Sequence, residues 1–179
     1  VLEMSVDAFE RHAGVDDIVI VSHPDHIGRV RDIVRATGWK KVKAIVTGGK
    51  ERYMSSLAAI QACADCDEGD FLVLHDAARP FVSQAIITDV VAARACPAVG
   101  VGVPVTDTLW HIGANCCGPY IKAAPKRSEY FQAQTPQAFR LSVIRQAYDS
   151  AVRDASLAAT DDMGVVLRYM PDIVPIIVP

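Results

Sequence analysis

No apolar run in this chain approaches the roughly 20 residues a helix needs to cross a bilayer, so the sequence excludes a helical membrane span. Its N-terminus has no basic region followed by an apolar core, so the expectation is a chain without a signal peptide. Positive charge is not in surplus either. Lys and Arg total 18 against 21 Asp and Glu, a formal net charge of −3, which removes the basic footprint of a nucleic-acid binder. Any polyanionic ligand must then be held by local cations, helix N-termini or a metal. Cysteine is sparse and badly arranged for zinc. Cys63-Ala64-Asp65-Cys66 has one metal-like spacing, but there is no second such motif, and Cys116-Cys117 is an adjacent pair. An odd total of five favours reduced thiols and a cytoplasmic compartment. Internal repeats and low-complexity linkers are absent. What remains is ordinary for a globular protein, with 51% hydrophobic and 22% charged residues in 179 positions, enough for one domain with a real core.

Apolar runs and helical periods alternate along the chain. Val1 to about His12 is amphipathic, with Leu2, Val6 and Phe9 on one face. Ile18-Val19-Ile20-Val21 reads as a strand buried on both faces. His23-Pro24-Asp25-His26 follows it at a helix start, where Asp25 is placed to cap free N–H groups. A helix over 26–37 is stopped by Gly38. Strands follow at 42–46, 71–74 and 98–103, with helices at 52–66 and 83–96 between them. Further helices cover 141–154 and about 161–168, and 174–178 forms or begins a last strand. This spacing predicts an α/β fold: a doubly wound, mostly parallel sheet with helices on both faces.

One segment breaks the rhythm. Residues 106–132 lack a clean period and carry Gly113, Gly118, Pro119 and Pro125, with Lys122, Lys126 and Arg127 beside Tyr130 and Phe131. So long an excursion in a compact domain usually has a function or a small structure of its own. A projecting arm fits, able to reach a second subunit and carry a cation into its site. The plain alternative is a solvated surface loop.

The chemistry-bearing residues fall where strands end. Leu74-His75-Asp76-Ala77-Ala78-Arg79-Pro80-Phe81 leaves the strand 71–74, at the carboxyl edge where open α/β sheets bind ligands. Asp76 can hold a divalent metal or a ligand hydroxyl, and Arg79 can meet phosphate oxygens with its fork of donors. Ala77 and Ala78 let a ligand approach the backbone. The alternative is an Asp–Arg pair closing a loop. Thr47-Gly48-Gly49-Lys50-Glu51-Arg52 opens the next helix, with glycines that permit close approach and positive φ. Thr106-Asp107-Thr108 supplies hydroxyls and an acid. Ala133-Gln134-Thr135-Pro136-Gln137-Ala138-Phe139 reads as a compact polar turn before a helix. Thr160-Asp161-Asp162 is an N-cap signature.

Taken in order, these motifs resemble the 2-C-methyl-D-erythritol 4-phosphate cytidylyltransferase family. The carrying residues are Gly48-Gly49, Arg52 and Ser55-Ser56; His75-Asp76-Ala77-Ala78-Arg79-Pro80; Val103-Pro104-Val105-Thr106-Asp107-Thr108; Gln134-Thr135-Pro136-Gln137; and Thr160-Asp161-Asp162. Each motif is weak, but five in the same order and spacing are specific, and the resemblance runs from Val1 to Pro179. It implies a Rossmann-like nucleotidyltransferase fold with a dimerisation arm at 106–132. It also implies transfer of CMP from CTP to methylerythritol phosphate with loss of pyrophosphate, aided by magnesium (Mg2+).

By resemblance, Gly48, Gly49 and Ser55 lie against the cytosine and ribose. Asp76 is the metal, triphosphate and hydroxyl centre, and Arg79 stands beside it. Thr108, Arg127 and Thr135 hold the sugar-alcohol phosphate, Thr108 and Arg127 from the partner of a homodimer. Asp76, Arg79 and Arg127 are the residues given catalytic roles. Lys50 stands where the family often has an acid. The family's first strand, with its Gly-rich Arg/Lys loop, would precede Val1, and an Asn-x-Lys-like motif would follow Pro179. Residues 1–179 therefore correspond to a single domain truncated at both ends, with the first strand missing from its sheet centre. A sister family acting on ribitol 5-phosphate tends to carry a Ser-Val-like pair in place of Ala77-Ala78. A non-catalytic nucleotide-binding module is the reading for a protein with no Gly-rich loop before Val1.

Overall fold

The computed structural model describes residues 1–157 and 159–179. Helix α1 (Leu2–Glu10) leads into strand β1 (Ile18–Ser22), α2 (Ile27–Thr37) and β2 (Val42–Thr47), then α3 (Arg52–Ala62), β3 (Phe71–Leu74), α4 (Gln84–Ala92) and β4 (Ala98–Pro104). A hairpin of β5 (His111–Asn115) and β6 (Gly118–Ala123) interrupts the alternation. The chain resumes with β7 (Phe131–Arg140), α5 (Leu141–Ala151), α6 (Asp162–Tyr169) and β8 (Ile176–Val178). Among the described residues, no helix is long and apolar enough to cross a membrane.

Local chemistry explains the boundaries. Gly38 ends α2 in the left-handed region at φ 68°, its N–H donating to the Val34 carbonyl. The Ser83 hydroxyl caps α4 by accepting from the Ile86 N–H, and Asp161 caps α6 through Gly164. Before α2, His23 takes the role expected of Asp25. Its ring nitrogen accepts from the Asp25 N–H in a short 3-10 turn.

Besides the β5–β6 hairpin, the described strands form two sheets: β1 and β2 pair in parallel, and the other sheet has the order β3-β7-β4-β8. In the latter, β3, β4 and β8 share one direction and β7 runs against its two neighbours. This corrects the turn expected at residues 133–139, which lies inside a ten-residue central strand. Its polar, proline-containing segment fits the strand because the register slips there. Gly100 pairs with Gln137 but Val101 with Gln134, leaving Thr135-Pro136, joined by a cis peptide, as a bulge. A bulge tolerates a proline that a ladder would not and re-aims the side chains beside it.

Neighbouring β7 residues divide the core. Phe139 faces Leu141, Ile144 and Tyr148 of α5 and Val165 and Val166 of α6. Ala138 faces Val90 of α4 with Val99 and Val101. Helices thus cover both faces. A third cluster of Val6, Ile20 and Val30 joins α1 to β1 and α2. In β1 only Ile20 is buried, and all four residues of β3 are half-buried, short of the full burial read from their apolar runs. Both are edge strands of the sheets described here, so each has one neighbour.

The segment 106–132 contains the β5–β6 hairpin, turned at Cys116-Cys117, and its last two residues already belong to β7. Trp110, Ile112, Tyr120 and Ile121 are exposed on it, Trp110 at 61%.

Candidate active site

The site begins where β3 ends. Asp76 and Arg79 close a turn, with the Arg79 N–H donating to the Asp76 carbonyl at 2.9 Å. Two elements hold that turn. From α1, the Ser5 hydroxyl donates to the Ala77 carbonyl at 2.9 Å, and Phe9 packs 5.1 Å from the His75 ring. From the β7 bulge, Thr135 Oγ1 accepts the Asp76 N–H at 3.2 Å and lies 3.1 Å from His75 Nδ1. His75 Nε2 lies 3.0 Å from the Arg79 carbonyl. A carbonyl only accepts, so Nε2 carries the proton and Nδ1 accepts from Thr135. The neutral imidazole therefore stitches both ends of the turn to the bulge.

Burial pushes the His75 imidazole below its ordinary value of 6.5, against the opposing pull of the hydrogen bond to the Arg79 carbonyl. The unfolded chain then takes up this proton first. The contribution to stability is complete above 6.5 and is lost as the pH falls through the lowered folded value. Thermal unfolding across that acidic window should show a smaller drop in melting temperature for His75→Gln than for the parent. Equal slopes would remove His75 from the linkage.

Asp76 stands between two cations. Its carboxylate is 3.7 Å from Arg52 Nη2 and 3.6 Å from Arg79 Nε, with 40% of the side chain exposed. Arg79 also donates to the Gln134 side chain. Gln137 donates to Asp161 Oδ2 at 2.8 Å and accepts the Met163 N–H at 2.9 Å, tying β7 to the start of α6. Arg52, Asp76, Arg79, Gln134, Thr135, Gln137, Thr160 and Asp161 line one cleft of about 230 Å³. Two carboxylates, two guanidiniums and two hydroxyls in one cleft suit an anionic ligand with hydroxyl groups. No cluster of three or more His, Cys, Asp or Glu that could hold a metal occurs among the described residues. Magnesium commonly takes one or two carboxylates and fills its shell with phosphate oxygens and water, so Asp76 alone fits that role beside a nucleotide.

The structure unites Asp76, Arg79 and Thr135 in this cleft. Gly48, Gly49 and Ser55 lie outside it, where β2 passes into α3. Neither glycine has a positive φ, contrary to one reason given for them. Space is the actual constraint: a Cβ on Gly48 would stand 2.6 Å from Ser55 Oγ, and one on Gly49 would run into Met54. Thr108 and Arg127 also lie outside the cleft, both exposed, and Arg127 donates to the Thr106 carbonyl.

Sequence reasoning missed the depth of the Arg52 anchor. Asp162 is 0% exposed and accepts from Arg52 Nη2 at 2.7 Å and from the Tyr148 hydroxyl at 2.6 Å. Burial and the Asp162 carboxylate push the Tyr148 hydroxyl well above its ordinary value, so it stays a donor. Burial works against the Arg52 charge, but Asp162 outweighs it and raises Arg52 above its ordinary value. The acidic pair Asp161-Asp162 was the available signal; capping uses only the first.

The family model described as 2-C-methyl-D-erythritol 4-phosphate cytidylyltransferase matches residues 1–178. The chain belongs to this cytidylyltransferase family. A 2-C-methyl-D-erythritol 4-phosphate cytidylyltransferase of Thermobifida fusca is 45% identical over 174 residues, covering 96% of this chain and 70% of the relative. The bifunctional ribulose 5-phosphate reductase/CDP-ribitol pyrophosphorylase Bcs1 of Haemophilus influenzae is 40% identical, covering 96% of this chain and 36% of the relative. For a cytidylyltransferase of Bifidobacterium longum the figures are 40%, 94% and 59%. The chain thus spans from about a third to 70% of these relatives. Among solved structures, the 4-diphosphocytidyl-2C-methyl-D-erythritol synthase of Anaerococcus prevotii superposes with a TM-score of 0.87 at 24% identity, covering 99% of this chain and 75% of that one. Another synthase of the same description gives 0.78 at 27% identity, covering 99% and 79%. The chain therefore has the α/β fold of this family, β7 being the reversed strand of its four-stranded sheet.

Proposed function

We propose that the protein transfers CMP from CTP to 2-C-methyl-D-erythritol 4-phosphate, giving CDP-methylerythritol and pyrophosphate. The observation that carries this reading is the placement of Asp76 between Arg52 and Arg79, over Thr135, in a chain of this family. Nucleophile and electrophile are both anionic, so alignment and charge neutralisation are the main tasks. No covalent protein nucleophile is required. Arg52 and Arg79 supply fixed positive charge for phosphate oxygens, Thr135 supplies a hydroxyl beside them, and the stitched turn keeps Asp76 in place. When bound on Asp76, magnesium would supply further neutralisation of the phosphates.

The hairpin gives the site a second contributor. A lone two-stranded hairpin is marginally stable in water, and this one exposes Trp110, Ile112 and Ile121. Pairing with a second copy would cover them. It would also carry Thr108 and Arg127 to the partner's cleft, completing the sugar-phosphate side in a homodimer.

A ribitol phosphate acceptor is the second reading, favoured by the Haemophilus relative whose name includes CDP-ribitol pyrophosphorylase. Ala77-Ala78, where such enzymes tend to carry a Ser-Val-like pair, favours methylerythritol phosphate. Pyrophosphate release by the full-length protein with CTP and magnesium tests both. We expect release with methylerythritol phosphate and at most a trace with ribitol 5-phosphate. Release with ribitol 5-phosphate alone would reassign the acceptor, and release with neither would leave a nucleotide-binding module.

A further inference from the structure

Asp162 makes a poor stabilising device. It is a fully buried carboxylate, and taking a charge out of water costs several kcal/mol per ion that a pairing partner does not always repay. Apolar replacements of such pairs are often as stable or more so. Its position at the start of α6 recovers part of that cost through the helix dipole. Capping of α6 does not need it, because Asp161 does that work. What Asp162 does is grip. Its two oxygens take one hydrogen bond each, from Tyr148 on α5 and from Arg52 on α3.

Arg52 is the outlet of this grip. It occupies the first position of α3 and lines the cleft with 37% of its side chain exposed. Only Nη2 is engaged, by Asp162 at 2.7 Å with Asp76 at 3.7 Å. Nε and Nη1 have no protein partner among the described residues. A long arginine at a cleft mouth normally loses conformational freedom when it binds a ligand. Anchored from behind, this one has lost it already, which is how preorganisation raises affinity.

We propose that Asp162 and Tyr148 are positioning residues, which hold the Arg52 guanidinium beside Asp76 as a fixed phosphate-binding cation whose Nε and Nη1 are left free to donate. The proposal deepens the cytidylyltransferase reading and rests on it for turnover, but its affinity arm does not depend on the acceptor.

The test is a double-mutant cycle on the full-length protein, with the Kd for CTP in magnesium measured by calorimetry and kcat/KM for CTP measured beside it. Arg52→Ala should weaken CTP about a hundredfold, and Asp162→Asn about tenfold. The Arg52→Ala/Asp162→Asn double variant should be no worse than Arg52→Ala, because Asp162 acts only through Arg52. Tyr148→Phe, which keeps the ring in the core, should cost about threefold and fold normally. The proposal is overturned if Asp162→Asn and Tyr148→Phe lower the melting temperature while CTP affinity stays at the parent value. Full additivity in the double variant, or unchanged affinity in Arg52→Ala, would sink it equally. If the parent binds CTP but serves neither acceptor, the reaction assignment fails and the affinity cycle still decides. A parent that binds no CTP overturns both.

Discussion

Asp76→Ala should reduce turnover about a thousandfold, equivalent to about 4 kcal/mol of barrier, while leaving a folded protein. The two halves of that expectation have separate grounds. The loss of activity follows from the site: Asp76 is the acid in the cleft flanked on both sides by guanidiniums, and on the proposed reading its removal takes away the carboxylate that would hold magnesium there. Retention of the fold follows from the contacts. The ion pairs to Arg52 and Arg79 are partly exposed and longer than hydrogen bonds, a class worth between nothing and about 1 kcal/mol. The bond that fixes the turn to β7 comes from the Asp76 backbone N–H, which alanine keeps. Steady-state pyrophosphate release and a thermal melt of the same sample check both. A variant that unfolds, or one that turns over within tenfold of the parent, would show that Asp76 serves the fold rather than the reaction.

The position of this acid was legible because a short apolar run followed by His75-Asp76-Ala77-Ala78-Arg79 wastes packing residues at a strand end. The alternation of strands and helices was legible for the same reason, since burial imposes a period. Strand β7 was not. Gln134, Thr135, Pro136 and Gln137 are polar or ring-constrained and deny both periods, because three of the four turn their side chains to the site and Thr135-Pro136 bulges out of the ladder. Gln134 meets Arg79, Thr135 meets Asp76 and His75, and Gln137 meets Asp161 and Met163. Functional demand erased the strand signal. The reason for Gly48-Gly49 was also hidden, because the crowding comes from Ser55 and Met54 one turn into α3. Asp162 showed a charge in the sequence but not its burial. Its partners Arg52 and Tyr148 lie 110 and 14 residues away, and only the packing of three helices brings them together.

Arg127→Ala should raise the KM for methylerythritol phosphate by about ten- to a hundredfold, in line with the loss of one or two hydrogen bonds between charged groups, and should leave the KM for CTP near the parent value. The structure supplies the geometric reason. Within one chain, Arg127 donates to the Thr106 carbonyl beside the hairpin, and neither it nor Thr108 lines the cleft that holds Asp76 and Thr135. On the proposed reading Arg127 reaches the acceptor from another copy, and the exposed hairpin is the segment that would bring it. Mixing provides the sharper measurement. In an isologous dimer, a heterodimer of Arg127→Ala and Asp76→Ala subunits contains one site with both residues intact, so random pairing should restore about a quarter of the parental sites. Each variant alone would stay nearly inactive at low acceptor concentration. Recovery on mixing, with a normal KM for methylerythritol phosphate in the recovered fraction, requires Arg127 to act across the interface. Failure to recover in a demonstrated heterodimer would place Arg127 in the site of its own subunit. Closing the distance to Asp76 would then require the hairpin to fold back over the cleft.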